Sequence, residues 1–103
     1  MAEAVIAIVF DFDETLGQDT ISFFLEQQKI KPAGFWRGVN SMVLDGWDPP
    51  LAYMHTMLEM SQSGKLDISK KALSKAGRSL KLFPGLPVAF SELQNFVRTN
   101  TQL

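Results

Sequence analysis

The sequence predicts an α/β protein in which an all-helical segment follows the first strand. Two patterns carry this prediction. The run from Val5 to Phe10 is rich in β-branched residues and lacks strict alternation, which is typical of a strand buried on both faces of a parallel sheet. From Asp19 onward, apolar residues recur every three or four positions, which is typical of helices that bury one face.

The composition fits one ordinary globular domain and excludes several functions. The chain has 103 residues, 46% apolar, with a formal net charge of -1 and no cysteine, so neither a disulfide framework nor a zinc-cysteine site is expected. The balanced charge argues against nucleic-acid binding, which depends on an excess of Lys and Arg. The longest apolar run, Ala4 to Phe10, is far shorter than the about 20 residues of a membrane span. We therefore expect no nucleic acid or membrane as partner and a cytoplasmic protein.

The first two of four helices predicted between Asp19 and Lys81 are marked by caps and prolines. Asp19 or Thr20 is expected to cap the first helix, and Pro32 to end it. The second helix is expected to end near Gly46. Its apolar residues step by three and four positions at Trp36, Val39, Val43 and Trp47.

The third predicted helix is apolar nearly all round, so we expect it to pack on both sides. Its two stripes are Leu51, Met54 and Leu58, and Tyr53, Met57 and Met60. Ser69 is expected to cap the fourth helix, although Gly77 weakens that helix by about 1 kcal/mol. The inward positions of the fourth helix are Ala72, Leu73, Ala76 and Leu80.

A fifth helix is predicted after Phe83-Pro84-Gly85, with Pro87 in its first turn. Its shared face carries Ala89, Leu93, Phe96 and Val97. The predicted organisation is therefore a first strand and turn over 1–18, a helical segment over 19–81 and a return segment over 82–103. A lone buried strand leaves its backbone groups unpaired, so we expect further strands from a continuation past Leu103 or from another chain.

An acidic turn directly follows the predicted strand. Asp11 and Asp13 lie two residues apart, so in extended geometry their side chains leave on the same side. Two converging carboxylates repel unless a cation or a shared proton relieves them, and Mg²⁺ prefers such hard oxygen ligands together with a substrate phosphate. One carboxylate can then attack phosphorus, the other can transfer protons, and the Thr15 hydroxyl and the backbone N–H groups of the turn can donate to phosphoryl oxygens.

The segment Val9-Phe10-Asp11-Phe12-Asp13-Glu14-Thr15-Leu16 resembles the first motif, D-x-D-x-T after a hydrophobic strand, of the haloacid dehalogenase-like (HAD) hydrolase superfamily. The resemblance implies a Rossmannoid core with an inserted helical cap, re-entered at Phe83-Pro84-Gly85-Leu86. It implies that Asp11 is the nucleophile and a Mg²⁺ ligand. It also implies that Asp13 is the general acid/base and a Mg²⁺ ligand through its backbone carbonyl, and that Thr15 and the backbone of Phe12 help to hold the substrate phosphate.

The Asp at position 13 points to phosphatase rather than dehalogenase members of this superfamily, with a small phosphorylated compound as substrate. Glu14 departs from the motif, because many relatives have Gly there. The resemblance also implies a later Ser or Thr, a Lys and a second acidic pair, which this chain lacks, so we expect the 103 residues alone to be inactive. The alternative is a noncatalytic, truncated or degenerate relative that acts as a protein-interaction module.

Other distinctive residues have simpler interpretations. His55 lies on an apolar stripe and is favoured as a hydrogen-bonded packing residue over a substrate contact. Six of the ten basic residues lie between Lys65 and Lys81, where a solvated helix face is favoured over a rim that attracts an anionic substrate. The aromatic residues and the Met residues at helical spacing are expected to form the core of the cap. The sequence specifies neither the substrate nor the oligomeric state.

Overall fold

The structure, a computed structural model, describes residues 4–100, and its regular secondary structure consists of helices. The helices predicted along the chain are confirmed. They are α1 (Thr20–Gln27), α2 (Pro32–Leu44), α3 (Pro49–Gln62), α4 (Lys70–Ser79) and α5 (Leu86–Thr99). Residues 4–100 contain no strand or sheet, only isolated bridges that join Gly17 to Asp13 and to Leu82. The predicted α/β class, with a HAD-like Rossmannoid core, is therefore wrong.

The predicted strand from Val5 to Phe10 has no regular secondary structure. Its apolar side chains are exposed, Val5 to 93% and Val9 to 87% of their surface. A strand needs a neighbour to bond its N–H and C=O groups, and no other segment of residues 4–100 pairs with this one as a ladder. The segment therefore has the side chains typical of a strand but no neighbouring segment within residues 4–100 with which to pair.

The chain divides into two compact units. One, the helical unit, is Asp19–Leu80. The other, the terminal unit, combines the described parts of 1–18 and 81–103. Every buried apolar side chain of the core identified within residues 4–100 belongs to the helical unit: Phe24, Leu25, Phe35, Val39, Ala52, Leu66 and Ala76. The helical unit therefore has a hydrophobic core of its own.

Short polar residues cap α1 and α4 as predicted. The Asp19 carboxylate accepts a hydrogen bond from the backbone N–H of Ile21 at 3.2 Å, and the Ser69 hydroxyl accepts one from Ala72 at 3.2 Å. Pro32 does not end α1, as the sequence indicated, but begins α2. The first helix instead ends at Gln27, and Lys29 turns the chain with a φ of 60°.

Helix α3 packs on one side only, so the prediction that both of its sides are covered is wrong. Ala52 is buried, and Tyr53, Met57 and Met60 pack against the core. The second stripe is exposed: Leu51, Met54 and Leu58. A sequence that is apolar all round does not specify which face a neighbouring element will cover, and α3 has α2 as its helical neighbour.

Two polar ties link α1 to other parts of the helical unit. The Trp36 indole donates to the Ser22 hydroxyl at 2.8 Å, and that hydroxyl donates to Asp19. The Gln28 side chain donates to the carbonyl of Asp67 and accepts from its backbone N–H, both at 2.8 Å. The backbone N–H and hydroxyl of Ser69 hold the pKa of the Asp67 carboxyl below its ordinary value, with a smaller contribution from Lys71. These ties fasten α1 to α2 and to the loop before α4.

The terminal unit is held together by a few contacts. Phe10 meets Phe90 of α5 edge to face, with ring centroids 5.5 Å apart. Helix α5 follows Gly85, whose φ of 89° suits glycine, and α5 has Pro87 in its first turn, as predicted. No side chain of α5 is buried. Within residues 4–100, no helix has the length and apolar character that crossing a membrane requires.

Candidate active site

The acidic segment forms a compact turn wound around one carbonyl group. The Phe12 carbonyl accepts hydrogen bonds from the N–H groups of Thr15 at 3.1 Å, Leu16 at 2.9 Å and Gly17 at 3.3 Å. The N–H of Glu14 donates to the Gly17 carbonyl at 2.8 Å. These bonds give residues 11–17 (the acidic turn) a defined shape although they form no helix or strand.

The acidic turn is anchored to the return segment at Gly17. The N–H of Phe83 donates to the Leu16 carbonyl at 2.8 Å, and Gly17 bridges to Leu82. Gly17 is buried, and a Cβ there would lie 3.2 Å from the Lys81 carbonyl oxygen and 3.5 Å from the Phe12 ring. A side chain at position 17 would therefore force the two segments apart. The sequence gives no sign of this close approach.

Three side chains of the predicted site lie exposed on the acidic turn: Asp11, Asp13 and Thr15. The Thr15 hydroxyl donates to the Asp11 carboxylate at 3.5 Å. The structure therefore brings Asp11 and Thr15 together, four residues apart in the chain. The half-buried side chain of Phe12 packs against Gly17, so this residue supports the turn with its ring as well as its carbonyl.

Four backbone N–H groups of the acidic turn, those of residues 14–17, already donate hydrogen bonds within it. Thr15, Leu16 and Gly17 donate to the Phe12 carbonyl, so a phosphate bound here would compete with that carbonyl for these donors. The chemistry of the turn therefore rests first on its two carboxylates and on the Thr15 hydroxyl.

The carboxylates offer hard oxygen ligands of the kind that Mg²⁺ takes, and one or two carboxylates with a substrate phosphate suffice for many magnesium sites. Across the part of the chain that the structure describes, no group of three or more His, Cys, Asp or Glu side chains could hold a metal ion. Asp11 and Asp13 are two such carboxylates, fewer than a cage built of protein ligands alone would use.

Glu14 lies at the tip of the acidic turn with a φ of 60°. This left-handed conformation favours glycine and is strained for most other residues. The position at which the chain departs from the D-x-D-G-T form of the motif is thus the position at which the turn needs a glycine-like backbone. The departure from the motif is visible in the sequence, and its conformational consequence is visible only in the structure.

Two clefts in the structure lie away from the acidic side chains. In the terminal unit, a shallow cleft of about 600 Å³ is lined by Ile6, Ile8, Leu93, Gln94, Val97 and Arg98. In the helical unit, an apolar cleft of about 200 Å³ opens between α1 and α4. Neither of these clefts is lined by Asp11, Asp13 or Thr15.

The remaining candidate residues lie on the surface of the helical unit. The Nε2 atom of His55 lies 3.0 Å from a carboxylate oxygen of Glu59. The His55 ring lies against the Trp47 ring, with centroids 5.0 Å apart and planes inclined by 36°. His55 therefore has a hydrogen-bond partner, as expected, but Trp47 lies outside the core that the sequence predicted for it. The basic residues on α4, Lys71, Lys75 and Arg78, are exposed.

No protein-family model, curated protein or solved structure matches this chain. The role of the acidic turn therefore rests on its own residues and their geometry.

Proposed function

We propose that the chain carries the nucleophile and the general acid/base of a Mg²⁺-dependent phosphatase that acts on a small phosphomonoester. The observation that carries this proposal is the exposed set of Asp11, Asp13 and Thr15 on a turn that Phe83 and Gly17 anchor on its far side. An anchored turn can hold reacting groups in a fixed geometry, which is a large part of their catalytic effect. The cytoplasmic location stays a prediction.

In the proposed reaction, an Asp11 carboxylate oxygen attacks phosphorus, and the bond from phosphorus to the leaving oxygen breaks. Asp13 gives its proton to that leaving oxygen. Water then attacks the phosphorus of the aspartyl-phosphate, its proton goes to Asp13, and the bond to Asp11 breaks. The Thr15 hydroxyl, which donates toward Asp11 at 3.5 Å, would donate to a phosphoryl oxygen when substrate is present.

Mg²⁺ held by the Asp11 carboxylate and the Asp13 backbone carbonyl would neutralise charge on the phosphoryl oxygens. The exposure of the Asp11 carboxylate supports this assignment, since a cation with water ligands needs room around it.

Turnover of an aryl phosphate by the natural polypeptide that carries this turn tests the proposal. We expect Asp11→Asn to abolish turnover because an amide does not replace the nucleophile. We expect Asp13→Asn to slow it by roughly 10² to 10⁴, as the loss of a general acid does. Asp45→Asn, which changes an exposed carboxylate at the end of α2, is the matched control and should stay within about threefold of wild type. Activity within about threefold of wild type in either turn variant would contradict the assignment.

A noncatalytic interaction module is the second candidate function. The observation that favours it is the exposed apolar segment from Val5 to Phe10, because such surface invites association. The two functions separate in the same assay. An interaction module would show no Mg²⁺-dependent turnover in wild type, and Asp11→Asn would leave its partner binding intact.

A further inference from the structure

Helix α3 exposes an apolar stripe, formed by Leu51, Met54, His55 and Leu58 (the α3 stripe). Leu51, Met54 and Leu58 expose 59%, 53% and 52% of their surface. Their spacing of three and four residues places them on one side of the helix, opposite the side that Ala52 buries in the core. The sequence predicts that Leu51, Met54 and Leu58 are covered by a packing partner.

The α3 stripe continues onto a neighbouring aromatic ring. The Trp47 ring lies against the His55 ring, with centroids 5.0 Å apart and planes inclined by 36°. Trp47 is itself 42% exposed. Glu59 pairs with His55 at 3.0 Å, and it is the only acidic residue in a helix that contains no Lys or Arg. The α3 stripe therefore carries no charged side chain apart from the His55 imidazole when it is protonated, and the one carboxylate within α3 is paired with that imidazole.

We propose that the α3 stripe is a dimer interface, at which a second copy of this chain packs its own α3 stripe antiparallel about a two-fold axis near Met54 and His55. A two-fold interface brings the same patch of two copies together, so it must be self-complementary. A nearly uncharged stripe meets that condition. The basic face of α4, with Lys71 and Lys75, would meet like charges if copied in the same way.

The area of the patch is sufficient for a weak, specific dimer. The four side chains of the α3 stripe together with Trp47 offer on the order of 500 Å² per copy, which is within the range of the largest apolar patch on a typical monomer. Two copies would bury about 1,000 Å², the lower bound for a specific interface. We therefore expect a dissociation constant in the micromolar range.

The antiparallel direction follows from the charges. Antiparallel helices set the opposite ends of their dipoles beside each other. This direction also keeps the Glu59 carboxylates of the two copies apart, whereas parallel helices would place them side by side. In the antiparallel arrangement Leu51 of one copy lies opposite Leu58 of the other.

Sedimentation of the full chain at concentrations from about 5 to 200 μM tests the dimer, with Leu58→Glu as the disrupting variant. A carboxylate buried without a partner is strongly disfavoured, so we expect the dissociation constant to rise about tenfold or more. Val88→Glu, at an apolar position 60% exposed outside the helical unit, is the matched control and should leave the constant unchanged. A wild-type monomer at 200 μM, or association that Val88→Glu abolishes and Leu58→Glu does not, would overturn the proposal.

Cysteine cross-linking tests the geometry without an added charge, because the natural chain contains no cysteine. A disulfide needs Cα atoms within about 7 Å. Met54→Cys, near the axis, should therefore form a disulfide-linked dimer at least tenfold faster than Ser74→Cys on the exposed face of α4. A mixture of Leu51→Cys and Leu58→Cys should cross-link faster than either variant alone. Equal rates for Met54→Cys and Ser74→Cys would exclude this interface, and faster linkage of Leu51→Cys to itself would exclude the antiparallel direction.

Discussion

Glu14 is the residue at which backbone conformation and proposed chemistry meet most closely. It holds a φ of 60° between Asp13 and Thr15, and a left-handed conformation costs an L-residue about 1 to 2 kcal/mol. The acidic turn keeps this conformation because the Phe12 carbonyl collects three N–H donors behind it. Strain of this kind often accompanies functional turns, and here it is measurable.

Replacement of Glu14 by glycine should tighten the acidic turn. The conformational strain is relieved, and the greater freedom of glycine in the unfolded chain offsets part of that gain by about 0.4 to 1 kcal/mol. The net stabilisation of about 0.5 to 1 kcal/mol corresponds to a two- to fivefold slower amide exchange at Leu16 and Phe83, measured by NMR. Glu14→Val should speed the same exchange, since β-branched residues avoid a positive φ. Slower exchange in the Val variant would show that the conformation is not strained.

At the scale of single elements, the chain of hydrogen bonds from Trp36 through Ser22 to Asp19 links two helices. The Ser22 hydroxyl accepts from the indole and donates to the carboxylate that caps α1. All three bonds are partly buried, and a buried polar group that loses its partner destabilises the fold more than an exposed one. This one hydroxyl therefore holds both the start of α1 and its contact with α2.

Ser22→Ala should lower the free energy of unfolding by about 1 to 2 kcal/mol, because the indole N–H and one carboxylate oxygen both lose their partner. Urea unfolding followed by circular dichroism measures the change without depending on Trp36 fluorescence. Ser74→Ala is the control, since Ser74 is exposed in α4 and alanine favours a helix. Equal midpoints for the two variants would show that the hydrogen-bond chain contributes nothing to stability.

The positions of the helices could be predicted from local residues, whereas the packing of the helices could not. Asp19 and Ser69 were predicted as caps because a short side-chain oxygen meets the free N–H groups of a first turn wherever it stands. The exposure of Leu51 was not predicted, because it depends on which elements lie nearby. The same reason explains the segment from Val5 to Phe10, whose pattern is that of a strand and whose pairing depends on other strands.

The candidate site, too, was predicted only in part. Asp11, Asp13 and Thr15 were identified from their spacing after an apolar run and from the resemblance of that segment to a known motif, which also implied their roles. The hydrogen bonds around the Phe12 carbonyl were not predicted. The close approach of Gly17 to Lys81 was not predicted either, because it depends on how the chain returns after the helical unit.

At the scale of the whole molecule, stability is concentrated in one unit. The buried apolar side chains identified in residues 4–100 lie in the helical unit, and α5 buries none. Regions with few buried contacts open with little free energy. We therefore expect residues 86–99 to exchange their amide hydrogens at least tenfold faster than residues 32–44, measured by mass spectrometry on the intact chain. Equal protection of the two segments would instead indicate a single cooperative fold.

The central claim is that Asp11 and Asp13 bind Mg²⁺, and paramagnetic mapping with Mn²⁺ in place of Mg²⁺ tests it most directly on the full chain. We expect the amide signals of residues 11–15 to broaden at lower Mn²⁺ concentration than those near Asp45 and Asp48. Excess Mg²⁺ should reverse the broadening. Asp11→Asn should remove it, whereas Asp13→Asn should leave it largely intact, because Asp13 is expected to bind the ion through its backbone carbonyl. Broadening equal at all exposed carboxylates, or unchanged in Asp11→Asn, would contradict the claim.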